Sequence, residues 1–87
     1  MIRITRIDGA REATLRIEGR ITRPRIPALR EACEECLTEH GAVTLDLSRV
    51  DFADEAGVQT LRELARGRAA LVGCSGFLRA LLQENTP

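Results

Sequence analysis

The sequence has no tryptophan, no tyrosine and no lysine, and its only aromatic residues are Phe52 and Phe77. A chain this poor in rings must fill its interior with Val, Leu and Ile, so the expected core is aliphatic. Without lysine there is no ε-ammonium group, which removes Schiff-base and P-loop lysine chemistry. No run of about 18 apolar residues occurs, which excludes a conventional membrane-spanning helix. The opening "MIRITRIDGA" alternates apolar and polar residues instead of forming a signal core. A cytoplasmic location without direct membrane insertion is therefore expected. Three cysteines are an odd number and no secretory segment accompanies them, which argues against a disulfide framework.

What is present fits one small globular unit. A chain of 87 residues buries only about 60–65% of its unfolded surface, around a single core. Hydrophobic residues at 44% and charged residues at 30% give the balance of a globular rather than a disordered chain. Thirteen arginines are matched by thirteen acids, scattered singly. No broad positive field exists to attract phosphate backbones, so nucleic acid is not an expected partner.

Hydrophobic periodicity orders the elements. Ile2, Ile4 and the alternation to Ile7 predict a strand, and "DGAR" predicts a hairpin turn of the Asp-Gly kind. Ala13, Leu15 and Ile17 alternate with Thr14, Arg16 and Glu18 in a second strand, which Gly19 and "TRPRIP" end. Pro27 suits the first turn of a helix. In that helix Ile26, Leu29, Cys33, Cys36, Leu37 and His40 recur at helical spacing until Gly41 stops it. Val43, Leu45 and Leu47 mark a third strand, followed by a short loop. Asp54 then caps a second helix, with Val58, Leu61, Leu64 and Ala65 inward and Gln59, Arg62, Glu63 and Arg66 outward. "AALV" is a fourth strand, Ser75 caps a last helix whose apolar stripe is Phe77, Leu78, Leu81 and Leu82, and "QENTP" is a frayed tail. The order β-β-α-β-α-β-α predicts an α/β fold in a single domain over residues 1–87. An N-terminal hairpin is followed by parallel strands, because each helix serves as a crossover.

One corner asks for a chemical explanation. In "DFADEAGVQTL", residues 51–61, two acids, an alanine and a glycine open the second helix, where its free N–H groups and positive dipole end favour negative charge. The corner lies just beyond the carboxyl end of a strand, the usual place for sites in open α/β sheets. It can be a plain capped start, a place to hold an anion, or a surface that a partner reads.

At this corner the chain resembles the STAS domain family, the module of bacterial anti-sigma factor antagonists and of related subunits in stress complexes and lipid-transport ABC systems. "LRIEGRITRPRIPALREACEECL" is similar to the family's strand, turn and first helix. "VTLDLSRVDFADEAGVQTLRELAR" is similar to its "DLS-x-V-x-F-x-D-S-S-G-L-x-x-L" core, and "LVGCSGFLRALL" to the strand and helix after it, so the likeness covers roughly Ala13 to Leu82. By resemblance Asp46 matches the strand-end acid, Asp54 the motif acid and Gly57 the glycine. Ala56 takes the place of the Ser or Thr that kinase-regulated members phosphorylate. Alanine has no hydroxyl, so the usual gain of about −1.5 to −2 of charge cannot occur there, while Glu55 supplies a fixed carboxylate one residue earlier. Typical members add a further strand and closing helix after the segment similar to "SGFLRALL". The expectation for this sequence is an uncovered sheet edge on its C-terminal side that pairs with a second copy, as a homodimer, or with a partner chain.

Other chemistries compete for the same residues. Cys33, Cys36 and His40 fall within about 60° of arc on one helix. They share that stripe with Ile26, Leu29 and Leu37, and cysteine packs as a small apolar residue. A structural zinc needs four ligands and only Cys74 remains to add. Asp46, Asp51 and Asp54 follow one strand and are read as solvated capping acids rather than as a cation loop. His40 complements the C-terminal end of its helix, and neither Ser48 nor Ser75 lies in a Gly-x-Ser-x-Gly elbow.

The reading that unites these features is a non-catalytic interaction domain resembling an anti-sigma factor antagonist, with roles in signal transduction and transcription regulation. The partner is a protein, an anti-sigma factor of kinase-like type or, alternatively, a component of a lipid-transport ABC complex. No metal, cofactor, catalytic residue or phosphosite is assigned. The expected partner surface comprises Asp51, Phe52, Asp54, Glu55, Ala56 and Gly57, with Gln59 and Arg62 on the exposed helix face. Ala56 and Gly57 are its close-contact floor, close helix–sheet packing being an equal reading of Gly57, and Gly57→Arg is expected to leave folding near intact. The rival of another class is a thiol or zinc enzyme built on Cys33, Cys36 and Cys74.

Overall fold

In the computed structural model, which describes residues 2–83, the alternating segments pair as one four-stranded sheet. Its order is β1 (Ile2–Asp8), β2 (Ala13–Ile21), β3 (Val43–Ala53), β4 (Ala69–Val72). β1 runs antiparallel to β2, while β2, β3 and β4 are parallel. Helices α1 (Ile26–His40), α2 (Glu55–Arg66) and α3 (Gly76–Gln83) follow β2, β3 and β4. This is the element order and the mixed sheet that the sequence predicts. A three-residue 3-10 turn, Arg23–Arg25, leads into α1. Of the predicted tail "QENTP", Gln83 is instead the last residue of α3, and residues 84–87 lie outside the described residues.

Both parallel connections step the same way across the sheet, so right-handed crossovers place their helices on one face. The core lies between: Ala13, Leu15 and Ile17 of β2 and Val43, Leu45 and Leu47 of β3 are at most 1% exposed, against Leu29, Cys33 and Cys36 of α1 and Leu61 of α2. The opposite face of the sheet has no helix among the described residues. It stays wet because opposite charges face one another across the strands: Arg16 stands beside Asp46 at 3.7 Å and Arg49 beside Glu18 at 3.6 Å. On β1 the alternation puts Ile2 and Ile4 on the helix side and leaves Ile7 on the other face, 45% exposed. Arg6 takes the inward place and reaches Glu39 of α1 with two hydrogen bonds of 2.8 and 3.0 Å. That ion pair holds the Glu39 carboxyl below its ordinary range.

The structure corrects several local expectations. The β1–β2 connection is a four-residue loop closed by Gly9 N–H to the Glu12 carbonyl, and Gly9 does not adopt the positive φ of an Asp-Gly turn. The predicted loop between the third strand and the second helix is strand. β3 continues to Ala53 through two irregularities in its pairing with β2, each of which inserts one extra residue. Each insertion resets the pleat, so the inward residues become Leu47, Val50 and Ala53, while Phe52 is left 42% exposed. In α2 it is Thr60, not Ala65, that is buried, its hydroxyl donating to the Ala56 carbonyl at 2.8 Å. In α3 Phe77 leaves the apolar stripe and is 57% exposed.

Two glycines fix the ends. Gly41 closes α1 in the left-handed region with φ 78°, its N–H donating to the Leu37 carbonyl. Gly73, φ 71°, turns the chain from β4 toward α3 over the Asp46–Ser48 bend; a Cβ there would lie 3.0 Å from Asp46 Oδ1 and from Ser48 N. The bend is held by Ser48, whose backbone N–H and hydroxyl both donate to Asp46 Oδ1, keeping that carboxyl below its ordinary range.

Candidate functional site

The second bulge in β3 delivers the chain to Asp54, and three contacts tie the corner together. Asp54 Oδ1 accepts from the Gly57 N–H at 2.7 Å, which is the N-cap of α2. Its Oδ2 accepts from the Arg23 N–H at 2.9 Å, so the same carboxylate fastens the 3-10 turn before α1 to the tip of α2. Its own N–H donates to the Ile21 carbonyl at 3.1 Å, extending the strand pairing by one bond. The capping role was legible in the sequence. The tie to Arg23 was not, because it joins segments 31 residues apart.

Gly57 is buried, and the reason is backbone contact. A Cβ at residue 57 would fall inside the van der Waals distance of the Ile21 carbonyl oxygen and 3.0 Å from Ile21 Cγ2. The first turn of α2 therefore lies directly on the end of β2, which only a residue without a side chain allows. Two expectations need correction. Gly57 belongs to the packing beneath the tip and not to its outer floor, and Gly57→Arg cannot leave the fold near intact. Arg62 is also displaced from the exposed helix face: half-buried, its Nε and Nη2 donate to the Leu82 and Leu81 carbonyls at 2.8 Å each. No basic residue occupies the last turn of α3, and Arg62 supplies donors to its terminal carbonyls.

What faces solvent is Asp51, Phe52, Glu55 and Gln59, with Asp54 and Ala56 half-buried. Glu55 sits in the first turn of α2, where its charge complements the helix dipole by about 0.3–1 kcal/mol. The exposed ridge Glu55–Gln59–Glu63 separates two grooves. Toward α3, a groove of about 580 Å³ has Ala53, Val58 and Leu81 among its lining, with Arg62 and Arg66. Toward α1, a second of about 380 Å³ is lined by Arg23, Ile26, Pro27, Arg30, Ala56 and Thr60, and both grooves share Gln59 and Glu63. The ion pair Arg30–Glu63, 2.6 Å, bridges the second groove.

The other candidates are placed apart from this corner. Cys33 and Cys36 are wholly buried in the core, where burial pushes the Cys33 thiol up to about 11 and raises that of Cys36 as well. Thiolate character, which redox and metal chemistry need, is suppressed there. Asp46 and Asp54 each spend their oxygens on backbone and hydroxyl donors rather than converging with Asp51. Residue 56 presents a methyl group. Of the nearby hydroxyls, Thr60 is buried and bonded, Ser48 donates to Asp46, and Ser75 caps α3 by accepting from the Leu78 N–H.

Comparison with known proteins places this geometry. No curated protein matches the sequence. Among solved structures, the chain is similar to the anti-sigma factor antagonist SpoIIAA in its unphosphorylated form, with 21% identity, TM-score 0.67, and coverage of 93% of this chain and 82% of that one. It is also similar to Mglu, at 22% identity and TM-score 0.70, where 83% of this chain corresponds to only 20% of that chain. A third likeness is to an uncharacterized protein with a SpoIIAA-like fold from Shewanella loihica PV-4, at 13% identity and TM-score 0.59, covering 99% of this chain and 80% of that one. At such identities these structures establish the fold. A family model described as "Mlab, STAS domain" matches residues 5–84, nearly the whole sequence, and the chain belongs to that STAS domain family.

Proposed function

We propose that this STAS domain is a docking module without catalytic activity. It would bind a regulatory protein partner through the tip and exposed ridge of α2, in the manner of an anti-sigma factor antagonist in a bacterial cytoplasm. The observation that carries the reading is the corner's construction. Asp54 and Gly57 lock the start of α2 to the end of β2 and to the 3-10 turn, while Asp51, Phe52, Glu55 and Gln59 remain exposed above that rigid base. A preformed surface with an exposed aromatic ring loses little freedom when a partner settles on it. With a methyl group at residue 56, binding would not be switched by phosphorylation there. An ATPase-clamping role in a lipid-transport ABC complex would use the same surface and differs only in the partner captured.

In affinity capture from the source cytosol with mass spectrometry, the double variant Glu55→Arg/Gln59→Arg should reduce recovery of the specific partner at least about tenfold. Glu34→Arg on the outer side of α1 should not. Equal capture by both variants would place the interface elsewhere on the molecule. The reading extends to a second copy: β4 is an uncharged edge strand, "AALV", with Val72 45% exposed. Strand edges without charged side chains are the ones that pair. Light scattering should show a mass that rises toward two chains with concentration, and a single-chain mass throughout would remove the homodimer.

A further inference from the structure

Resting on the docking reading above, we infer that the groove between α1 and α2 receives an acidic, partly apolar segment of the protein partner, with Arg23 and Arg25 pairing its carboxylates. The chain as a whole carries no net charge, yet these two arginines flank Pro24 in one short turn and both are exposed. Among the described residues neither of their guanidinium groups has an acidic partner. Arg6, Arg16, Arg30 and Arg49, by contrast, each stand beside an acid. The pair borders the 380 Å³ groove through Arg23, and the apolar part of that groove is Ile26, Pro27 and Ala56.

The arginines are also held in place. The Arg23 N–H is fastened to Asp54 Oδ2, the Arg25 N–H donates to the Thr22 carbonyl, and Pro24 and Pro27 fix the backbone on either side. A preorganised arginine turn gives up less freedom per charge-assisted hydrogen bond. The apolar lining of the groove favours a peptide over a phosphate-rich surface, because a short segment can seat one apolar side chain between its carboxylates and a row of phosphates cannot.

The probe is a short synthetic peptide of Asp and Glu interrupted by two leucines, titrated into the ¹⁵N-labelled full chain. Amide shifts should concentrate at Arg23 to Arg30 and at Ala56 to Thr60. Affinity should fall at least about tenfold in Arg23→Glu/Arg25→Glu, since like charges then oppose one another, and by a smaller factor in Arg23→Gln/Arg25→Gln, which removes charge without reversing it. Shifts elsewhere, no shifts at all, or equal affinity in both double variants would overturn the inference. So would binding of phosphatidylglycerol vesicles without binding of the peptide. Its failure is separable from failure of the docking reading: if Glu55→Arg/Gln59→Arg loses the partner while the peptide ignores the groove, only the acidic-segment inference falls.

Discussion

Gly57→Ala should destabilise the folded chain by about 3 kcal/mol, and Gly57→Arg should leave it largely unfolded at room temperature. A single Cβ at this position meets the backbone carbonyl of Ile21, which cannot rotate aside as a flexible side chain would. Overpacking ordinarily costs about 1–3 kcal/mol. Here relief requires moving the Ile21 carbonyl, which also accepts from the Asp54 N–H at 3.1 Å, a bond worth about 1 kcal/mol. Alanine's better helix propensity returns at most about 1 kcal/mol. Against a total stability of roughly 5–15 kcal/mol, nearer the lower end for so small a domain, the arginine variant has little left. Urea unfolding followed by circular dichroism measures both variants, and an alanine variant within about 0.5 kcal/mol of the parent would mean that β2 yields freely. Loss of partner capture by Gly57 variants would accordingly report a damaged fold rather than a lost contact.

Asp54→Ala should cost about 2–3 kcal/mol, more than removal of an ordinary helix cap. An N-cap alone is worth about 0.5–2 kcal/mol, but this carboxylate accepts a second hydrogen bond, from Arg23 N–H, that belongs to a different segment. The variant should therefore loosen two places at once. Amide exchange at Gly57 and at Arg23 should both accelerate, while the Ser48 amide, held by Asp46, keeps its protection. Asp54→Asn retains an acceptor oxygen for Gly57 and should lose about 1 kcal/mol or less. If Arg23 exchanges no faster in Asp54→Ala than in the parent, the 3-10 turn is held by something other than this carboxylate, and the rigid base proposed for the docking surface disappears with it.

Much of the architecture could be read from the sequence because it is written in short periods. "ATLRI" and "VTLDL" alternate, the cysteine-bearing stripe of α1 recurs at helical spacing, and Asp54, Ser75 and Gly41 occupy the cap positions their chemistry favours. The misreadings also share a cause. Treating "SRVDF" as loop, Phe77 as inward, and Ala65 in place of Thr60 as core all assumed that local periodicity continues unbroken. Two bulges in β3 reset the pleat, and on β1 the inward place that periodicity offers goes to Arg6, whose partner Glu39 lies 33 residues away.

The candidate site divides along the same line. Its acids, its missing hydroxyl at residue 56 and its place at the start of α2 are properties of consecutive residues, and the sequence by itself determined them. Whether each residue faces a partner or the molecule's own interior was decided only when distant segments met. Gly57 came to rest on Ile21, Arg62 turned to the last carbonyls of α3, and the Arg23 backbone fastened to Asp54. The physical reason is that capping and periodicity act within a few residues along the chain. Contact between a helix start and a strand end depends on how the sheet brings them together, and no local pattern carries that distance.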